Sequence, residues 1–383
     1  MKFIHLGDLH LGRYLGDFDL IDDQRYMLDQ IIEIIRQKSV DAVLIAGDVY
    51  DKSVPSEAAM NLLDYFLRKL AENKVKTYMI SGNHDSDDRL NYGSNLFQVN
   101  DIYISSVFDG TLHRYSLTDE YGSVNVYLLP FVKASQVRHF FENDKIETYE
   151  DAVRVIIDHT DIDVNERNVI VAHQFVAGIG QNPDMGGSEG MAVQNVGLVE
   201  SIGYSTFDKF DYVALGHIHS PQSIGRKEVR YAGSMLKYSL KEAHNNKSVP
   251  IVTMGEKNQI DIELVPLKPK RDVIHIQGKL KEILKSPESA ENYMYITLTD
   301  EELVNNVMNI VQGVYPYTIK IDYDNSHTRA IEQDSISGLI ENKSFTDIIK
   351  DFYNQIYGYD ISEEEMRIMR EVAMEAGVIN EAD

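Results

Sequence analysis

Five short segments of the chain place metal-binding types of side chain directly after a glycine or another small residue. They are Gly7-Asp8-Leu9-His10, Gly47-Asp48-Val49-Tyr50-Asp51, Gly82-Asn83-His84-Asp85, Ala172-His173 and Gly216-His217-Ile218-His219. Carboxylate, imidazole and amide groups together suit divalent manganese, iron or zinc better than calcium or magnesium alone. Glycine lets the backbone turn tightly and come close to a neighbouring group. The five segments therefore predict one metal site that is assembled from distant parts of the chain.

Strand-like apolar runs precede these segments and indicate how the side chains could meet. The runs are Lys2–Leu6, Ala42–Ala46, Thr77–Ser81, Asn168–Val171 and Tyr212–Leu215. Open α/β sheets bind their ligands at the carboxyl ends of parallel strands. His217 and His219 lie two positions apart on a strand-like segment, so their side chains point to the same side. We therefore expect the site at one edge of a sheet.

Helical patterns alternate with the first three of these strands. They cover Asp22–Lys38 and Ser56–Glu72, which gives a β-α-β-α-β order and predicts parallel pairing in a layered α/β domain. Further strand-like runs occur within residues 100–131 and 211–266. Together they predict a second sheet packed on the first.

The order of the five motifs resembles that of the calcineurin-like metallophosphoesterases. The residues of the longer segments resemble more specifically the SbcD family of nucleases. These are bacterial relatives of the nuclease that repairs DNA double-strand breaks. These segments are Gly7–Gly12, Ala46–Asp51, Ser81–Asp85 and Ala214–Gln222. Tyr231-Ala232-Gly233-Ser234 and Lys237-Tyr238-Ser239 are similar to the same family. The likeness covers roughly the first 270 residues well, and the remainder by layout only.

This resemblance implies a domain organisation. Residues 1–268 would form a two-sheet αββα sandwich, the calcineurin-like phosphoesterase (nuclease) domain. Residues 269–340 would form a small α+β capping domain, beginning in the basic, proline-punctuated connector at 266–272. Residues 341–383 would form a C-terminal helical hairpin that binds a partner ATPase.

The resemblance also implies a ligand set for two divalent ions, with manganese the expected metal. One ion would take Asp8, His10, Asp48 and His219, and the other would take Asp48, Asn83, His173 and His217. Asp48 is the expected bridge because a carboxylate has two oxygens and carries charge against two cations. Two ions about 3.5–4 Å apart would clamp a phosphodiester and activate a water molecule.

His84 is predicted to be catalytic rather than a ligand, although it directly follows Asn83. An imidazole titrates near working pH, so it could stabilise or protonate the leaving oxygen of a scissile phosphate. Asp85 is expected to orient His84 or its loop. Asp51 receives no catalytic role here, because archaeal and eukaryotic relatives often carry histidine in that region.

The function implied by the resemblance is a manganese-dependent DNA nuclease with endonuclease and 3'-5' exonuclease activity. It would work with an SbcC-like SMC coiled-coil ATPase, as a homodimer within a heterotetramer. A metallophosphoesterase of non-DNA phosphate esters is the alternative function. Phosphoprotein phosphatases usually carry Arg-Gly after the second motif, whereas Lys52-Ser53 stands here. A degenerate, non-enzymatic scaffold is disfavoured because all seven expected ligands are present.

The composition constrains where the protein works and with what partner. The chain has 383 residues and a net charge of −24, whereas nucleic-acid binding proteins usually carry a basic surface. We therefore expect the ATPase partner to supply the surface that holds duplex DNA. The chain has no cysteine and no apolar run near the roughly 20 residues of a membrane span, which predicts a cytoplasmic protein without membrane contact.

The tail combines apolar residues at helical spacing with a helix-start motif. Phe345, Ile349, Phe352 and Ile356 share one helical face, and Ser362 with Glu365 forms a capping box ahead of Met366 and Met369. Such helices either dock on the core or bind a partner. The family layout favours the partner.

Overall fold

The computed structural model describes residues 1–178, 180, 182–187, 201–285, 289–326, 346, 349, 350, 353 and 361–375. Strands are numbered here in chain order as β1 (Lys2–Leu6), β2 (Tyr14–Leu15), β3 (Phe18–Asp19), β4 (Ala42–Ala46), β5 (Lys76–Ile80), β6 (Ile102–Ser105), β7 (His113–Asp119), β8 (Gly122–Leu129), β9 (Arg167–His173), β10 (Val176–Ala177), β11 (Ile202–Gly203), β12 (Tyr212–Gly216), β13 (Gln222–Ile224), β14 (Arg226–Tyr231), β15 (Ser248–Met254), β16 (Ile260–Pro266), β17 (Val273–Gly278), β18 (Tyr293–Leu298) and β19 (Thr318–Tyr323). Helices are α1 (Ile21–Lys38), α2 (Glu57–Glu72), α3 (Asp87–Asn91), α4 (Ser94–Phe97), α5 (Ala134–Val137), α6 (Tyr149–Asp158), α7 (Leu280–Ile283), α8 (Val307–Gln312) and α9 (Glu363–Glu375). These elements confirm the predicted α/β class.

The first large sheet has six strands in the order β16-β15-β1-β4-β5-β6. Strands β1, β4, β5 and β6 are parallel, with Phe3 opposite Ala42 and Val43 opposite Thr77. Strand β15 pairs with β1 in the antiparallel sense, with Lys2 opposite Thr253. The parallel half arises because α1 and α2 return the chain across one face of the sheet between successive strands.

The second large sheet also has six strands, in the order β13-β14-β12-β9-β8-β7. Its centre is parallel, with Gly216 of β12 opposite His173 of β9, and its two outer pairs are antiparallel. Strand β9 is buried along its whole length, which explains the apolar run Val169–Ala172 at its centre.

The two large sheets pack face to face, with helices on both outer sides. Phe3, Leu44 and Tyr78 of the first sheet share one buried cluster with Val126 and Tyr212 of the second. A second cluster buries α1 and α2 against the outer face of the first sheet, and a third buries α6 against the second sheet. This is the predicted αββα sandwich.

The described chain divides into two compact units, and the sandwich lies in the first. That unit comprises Met1–His275, Pro287–Tyr295 and Ile310–Lys320. The second unit comprises Ile276–Ser286, Ile296–Asn309 and Ile321–Asp383. Strands β17, β18 and β19 form a three-stranded sheet in that order.

Within the second unit, Leu280 and Ile283 of α7 and Ile296 of β18 are buried. The predicted capping box opens α9, because Ser362 N donates to Glu365 Oε2 over 3.0 Å and Glu365 N donates to Ser362 Oγ over 3.3 Å. Of the first predicted helix of the C-terminal hairpin, Thr346, Ile349, Lys350 and Tyr353 are described and are helical, whereas Phe345, Phe352 and Ile356 lie outside the described residues.

Several predicted elements differ from the observed ones. Strand β6 and the β15–β16 hairpin belong to the first sheet rather than the second, because β6 follows β5 by a crossover and β15 pairs with β1. The sequence pattern at Glu301–Val311 predicts a helix, whereas α8 begins only at Val307, because the preceding Asn306 has a left-handed φ of 58°. The sequence patterns did not predict strand β17 or helix α6.

Among the described residues, no helix combines the length and the apolar character needed to cross a bilayer.

Candidate metal centre

The side chains predicted to bind metal come from the carboxyl ends of five parallel strands in the two large sheets. Asp8 follows β1, Asp48 follows β4 and Asn83 follows β5, all in the first sheet. His173 is the last residue of β9, and His217 directly follows β12. Because the sheets pack face to face, these ends meet, and the structure brings all seven predicted ligands together.

Backbone hydrogen bonds continue between the loops that follow β1 and β4. Asp8 N donates to Gly47 O over 3.1 Å, and His10 N donates to Asp48 O over 2.9 Å. The buried amide of Gln24 fixes the first loop, because its Nε2 donates to His10 O over 2.7 Å. The two loops therefore hold their ligands in a fixed register.

Four of the predicted ligands have a left-handed backbone. The φ angles are 52° for Asp8, 44° for His10, 48° for Asp48 and 98° for His217. Outside glycine such conformations cost on the order of 1–3 kcal/mol each, and they concentrate at functional sites. The Asp8 carboxylate offsets part of this cost at His217, whose N–H donates to Asp8 Oδ1 over 2.9 Å.

Two glycines allow the strand ends to approach each other. A Cβ atom on Gly216 would lie 1.9 Å from Ala46 O, which is backbone and cannot move aside. A Cβ atom on Gly82 would lie 2.1 Å from Asp48 Oδ1. Only a hydrogen fits at these positions, so Gly216 is required by the closeness of the two sheets, and Gly82 by the closeness of the loops after β4 and β5 within the first sheet.

Asp8, His10 and His219 form the first group of facing ligand atoms, and all three are buried. The Nε2 atoms of His10 and His219 lie 3.0 Å apart, and Asp8 Oδ1 lies 4.0 Å from His219 Nε2. Two imidazole nitrogens that face each other beside a buried carboxylate make a donor set that a divalent ion fits.

The second group consists of Asn83, His173 and His217. His173 Nε2 lies 3.4 Å from Asp48 Oδ2 and 3.1 Å from Asn83 Oδ1. Asn83 Oδ1 also lies 2.9 Å from His217 Nδ1. Oxygen and nitrogen atoms again converge on one small volume, and their types suit the same metals as the first group.

Asp48 lies between the two groups. Its Oδ2 atom is 3.6 Å from His10 Nε2 and 3.4 Å from His173 Nε2. Its Oδ1 atom accepts a hydrogen bond from the backbone N–H of His84 over 2.9 Å. This placement is the one that a bridging carboxylate requires.

Burial and mutual charge shift the titration of these groups. Burial raises the pKa of Asp8 to about 6, against the effect of the neighbouring histidines. Burial lowers the pKa of His217 to about 3, and the charge of His173 acts in the same direction. Burial alone would lower the pKa of His173 as well, but the adjacent Asp48 carboxylate raises it to about 9.

His84 lies beside both groups with one ring nitrogen already committed. Its Nδ1 is 3.0 Å from Asp51 O, so Nδ1–H donates to that carbonyl and Nε2 is directed elsewhere. The ring packs edge-on against His10, with 5.0 Å between the ring centres. Asp51 also accepts from Arg13 Nη1 over 3.0 Å. The structure thus places Asp51 against His84, although the sequence assigned it no role.

Asp85 ties two motif loops together. Its carboxylate accepts backbone N–H groups from Gly82 over 2.9 Å, Tyr50 over 2.9 Å and Val49 over 3.1 Å. Burial raises the pKa of Asp85 to about 7, while the three N–H donors act in the opposite direction. The residue orients the loop that contains His84, as predicted.

The sequence did not predict the buried residues that pack behind the first group, which are Tyr238, Glu242 and Lys247. Tyr238 OH donates to Leu9 O over 2.7 Å, and the tyrosine ring lies 5.6 Å from the His10 ring and 5.7 Å from the His219 ring. Glu242 and Lys247 lie beside it, fully or almost fully buried. The family resemblance of the segment around Tyr238 was the available signal.

Two family matches cover most of the chain. Residues 1–221 match the calcineurin-like phosphoesterase family. Residues 269–357 match the SbcD_C family, described as the type 5 capsule protein repressor C-terminal domain.

Similar solved structures include a dimetal phosphatase from Danio rerio, with 12% identity and a TM-score of 0.40 over 69% of this chain and 95% of that one. The protein TT1561 of Thermus thermophilus is also similar, with 10% identity and a TM-score of 0.38 over 69% of this chain and 98% of that one.

Proposed function

We propose that this chain, which belongs to the calcineurin-like phosphoesterase family, hydrolyses phosphodiester bonds in DNA with the help of two manganese ions. The family membership makes it a metal-dependent phosphoesterase. The choice of DNA as the substrate and of manganese as the metal is the proposal. It includes the endonuclease and 3'-5' exonuclease activities expected from the sequence.

The observation that supports this proposal best is the position of His84 beside the ligand groups. Asp48 Oδ1 holds the backbone of His84, and the Asp51 carbonyl holds its ring. The imidazole is therefore held next to the predicted ligands, and in this proposal it acts on the substrate rather than on a metal ion. A proton on Nε2 could then be given to the leaving oxygen of a phosphodiester.

Two bound divalent ions would supply the positive charge that clamps the phosphate and would acidify a water molecule. The residues of the chain prepare this chemistry. Asp48 sets the spacing of the two groups, and Asn83 provides a neutral oxygen between His173 and His217. The left-handed backbone at Asp8 and His10 directs both side chains toward the same point.

The match of residues 269–357 to the SbcD_C family supports DNA as the substrate over other phosphate esters. It also supports the proposal that the chain works with an SbcC-like SMC ATPase. A homodimer within that assembly is supported by an exposed apolar surface that follows the His84 loop in the chain. Its residues Tyr92, Leu96 and Val99 are 86%, 75% and 84% exposed.

The substrate is tested by incubating the purified full chain and manganese with single-stranded and duplex oligonucleotides. Parallel reactions contain a phosphopeptide, a cyclic nucleotide and p-nitrophenyl phosphate. We expect cleavage of DNA that chelation of the metal abolishes. Hydrolysis of the non-DNA esters without any DNA cleavage would contradict the proposal and favour the alternative phosphoesterase. A chain that binds no metal would be a degenerate scaffold.

The role of His84 is tested with His84→Ala. General acid–base groups contribute roughly 10²–10⁴-fold, so we expect a loss of DNA cleavage of that size. Both ions should remain, as measured by elemental analysis after gel filtration. His113→Ala is the matched control, because that histidine lies at the surface and pairs only with Asp109 among the contacts described. Loss of metal in His84→Ala would make His84 a ligand instead.

A further inference from the structure

We propose that the buried ion pair Glu242–Lys247 positions His219 and thereby sets the metal affinity of the first group, Asp8, His10 and His219. This inference rests on the metal centre of the proposed function, but not on the choice of DNA as substrate. It assigns a role to the segment that follows Tyr231–Ser234, which the proposed chemistry does not use.

Glu242 and Lys247 form a close pair in the interior. Glu242 is 0% exposed and Lys247 is 5% exposed, and Lys247 Nζ lies 2.6 Å from Glu242 Oε2. Taking two charges out of water costs several kcal/mol per ion, and apolar replacements of such pairs are often neutral or stabilising. Stability alone therefore does not explain why this pair is present.

The ammonium group of Lys247 binds the backbone of the metal-ligand segment. It donates to His219 O over 2.8 Å and to Ser234 Oγ over 2.9 Å, in addition to Glu242. Three acceptors thus match its three N–H groups. Ser234 N also donates to His219 O over 3.1 Å, so one carbonyl oxygen anchors both neighbours. This arrangement fixes the backbone from which the His219 side chain extends.

The carboxylate of Glu242 faces the imidazole ring of His219. Its Oε1 atom lies 3.5 Å from His219 Nδ1 and accepts the backbone N–H of Tyr238 over 3.2 Å. A carboxylate at Nδ1 favours the tautomer that carries its proton there, which leaves the Nε2 lone pair for the metal. His219 Nε2 is the atom that faces His10 Nε2. The pair therefore holds both the backbone and the ring of this ligand.

The second group has a different support. His173 Nδ1 lies 2.7 Å from Ala46 O, a backbone carbonyl without charge. The positioning effect of Glu242 should therefore act on the first group only. That asymmetry separates a positioning role from general destabilisation, which would weaken both groups.

The test is manganese titration of the full chain by calorimetry, comparing Glu242→Gln with the wild-type protein. Loss of a residue that orients a metal ligand typically costs about 10–100-fold in metal affinity. We expect a loss of that size at one of two positions and little change at the other. Glu263→Gln is the matched control, because Glu263 lies at the surface and pairs with Lys38. The proposal would be overturned if Glu242→Gln bound manganese at both positions as tightly as the wild-type protein does, or lost the same affinity at both positions.

A double variant, Glu242→Gln with Lys247→Met, controls for misfolding. Removing both charges avoids a buried, unpaired ion, so the metal-free double variant should unfold near the wild-type temperature. Its manganese affinity at the first group should nevertheless remain as weak as in Glu242→Gln. Recovery of both stability and affinity would show that the pair is only structural and would overturn the proposal. Wild-type protein that binds manganese but leaves DNA intact would contradict the proposed substrate without affecting this measurement.

Discussion

The side chain of His173 has a hydrogen-bond acceptor at each ring nitrogen. Nδ1 faces Ala46 O at 2.7 Å, and Nε2 faces Asn83 Oδ1 at 3.1 Å and Asp48 Oδ2 at 3.4 Å. Both nitrogens can therefore keep a proton, which agrees with a pKa raised to about 9. A metal bound at Nε2 must displace one of these protons.

This displacement predicts that manganese binding depends on pH. Below pH 9 the proton on His173 competes with the metal, so affinity should rise from pH 7 to pH 8 by up to about tenfold, the slope for one proton released. Calorimetry at pH 7 in buffers of different ionisation enthalpy should register the released proton. Affinity that stays constant over this range would show that His173 is neutral in the metal-free protein or is not a ligand.

The position of Asp48 between the two groups predicts a shared loss. Asp48→Asn keeps the shape of the side chain and removes the charge that would serve both ions, so occupancy should fall at both positions. Elemental analysis of the variant should show fewer than two ions for each chain. Asp41→Asn, at the surface beside Lys2, is the control. Undiminished binding of two ions by Asp48→Asn would contradict the bridge.

At this scale the sequence predicted which side chains meet, because each follows a strand with a recognisable pattern. All seven predicted ligands and His84 lie together, while their individual roles remain predictions. The supporting residues carry no such pattern. Glu242 and Lys247 look like ordinary charged surface residues in the sequence, and only the fold buries them beside His219.

At the scale of elements, the loops after β4 and β5 depend on one carboxylate. Asp85 accepts three backbone N–H groups, two from the loop after β4 and one from its own loop. The second loop carries Asn83 and His84. Asp85 therefore helps to fix the relative position of the two loops, together with the hydrogen bonds from His84 to Asp48 and Asp51.

Asp85→Asn should destabilise the metal-free protein. The amide nitrogen would face N–H donors, and each unsatisfied buried donor costs about 1–3 kcal/mol. Urea unfolding should show a loss of that order, together with weaker manganese binding. Asp88→Asn, on a residue three positions away, should change neither quantity. Equal stability of the Asp85 and Asp88 variants would show that the loops are held by other contacts.

The sequence predicted the strands of this region better than their assembly. The periodicity at 76–81 and 101–106 indicated strands, but no local pattern shows that β6 joins β5 or that β15 joins β1. Those pairings are set by crossovers and by contacts between residues far apart in the chain, such as Lys2 and Thr253. The left-handed Asn306 likewise shortens a helix that propensity alone would extend.

At the scale of the whole molecule, the acidity of the chain and its C-terminal family match bear on assembly. A net charge of −24 makes strong binding of duplex DNA by this chain alone unfavourable. We propose that the ATPase partner contributes that surface and binds residues 345–377. The acidic first turn of α9, with Glu363, Glu364 and Glu365, favours a basic rim on the partner.

Deletion of residues 345–383 should therefore abolish co-purification with an SbcC-like ATPase and leave manganese-dependent cleavage of single-stranded DNA largely intact. Light scattering provides the control, because the exposed surface of Tyr92, Leu96 and Val99 is retained and the truncated chain should remain a dimer. If the truncated chain still bound the ATPase with full affinity, the C-terminal helices would pack on the core of this chain instead of binding the partner. A monomeric mass for the full chain would contradict the homodimer.

The position of β1 within its sheet has a consequence for biosynthesis. β1 is an early strand, yet it lies between β4 and β15, so one of its edges has no partner until Ser248–Met254 has been translated. The site also forms late, since Asp8 and His217 are 209 positions apart. Parallel and long-range pairings of this kind form slowly and leave apolar edges exposed in the meantime. On the ribosome, most of the sandwich must therefore emerge before any part of it can bind metal, and a prematurely terminated chain would be an aggregation risk rather than an uncontrolled hydrolase.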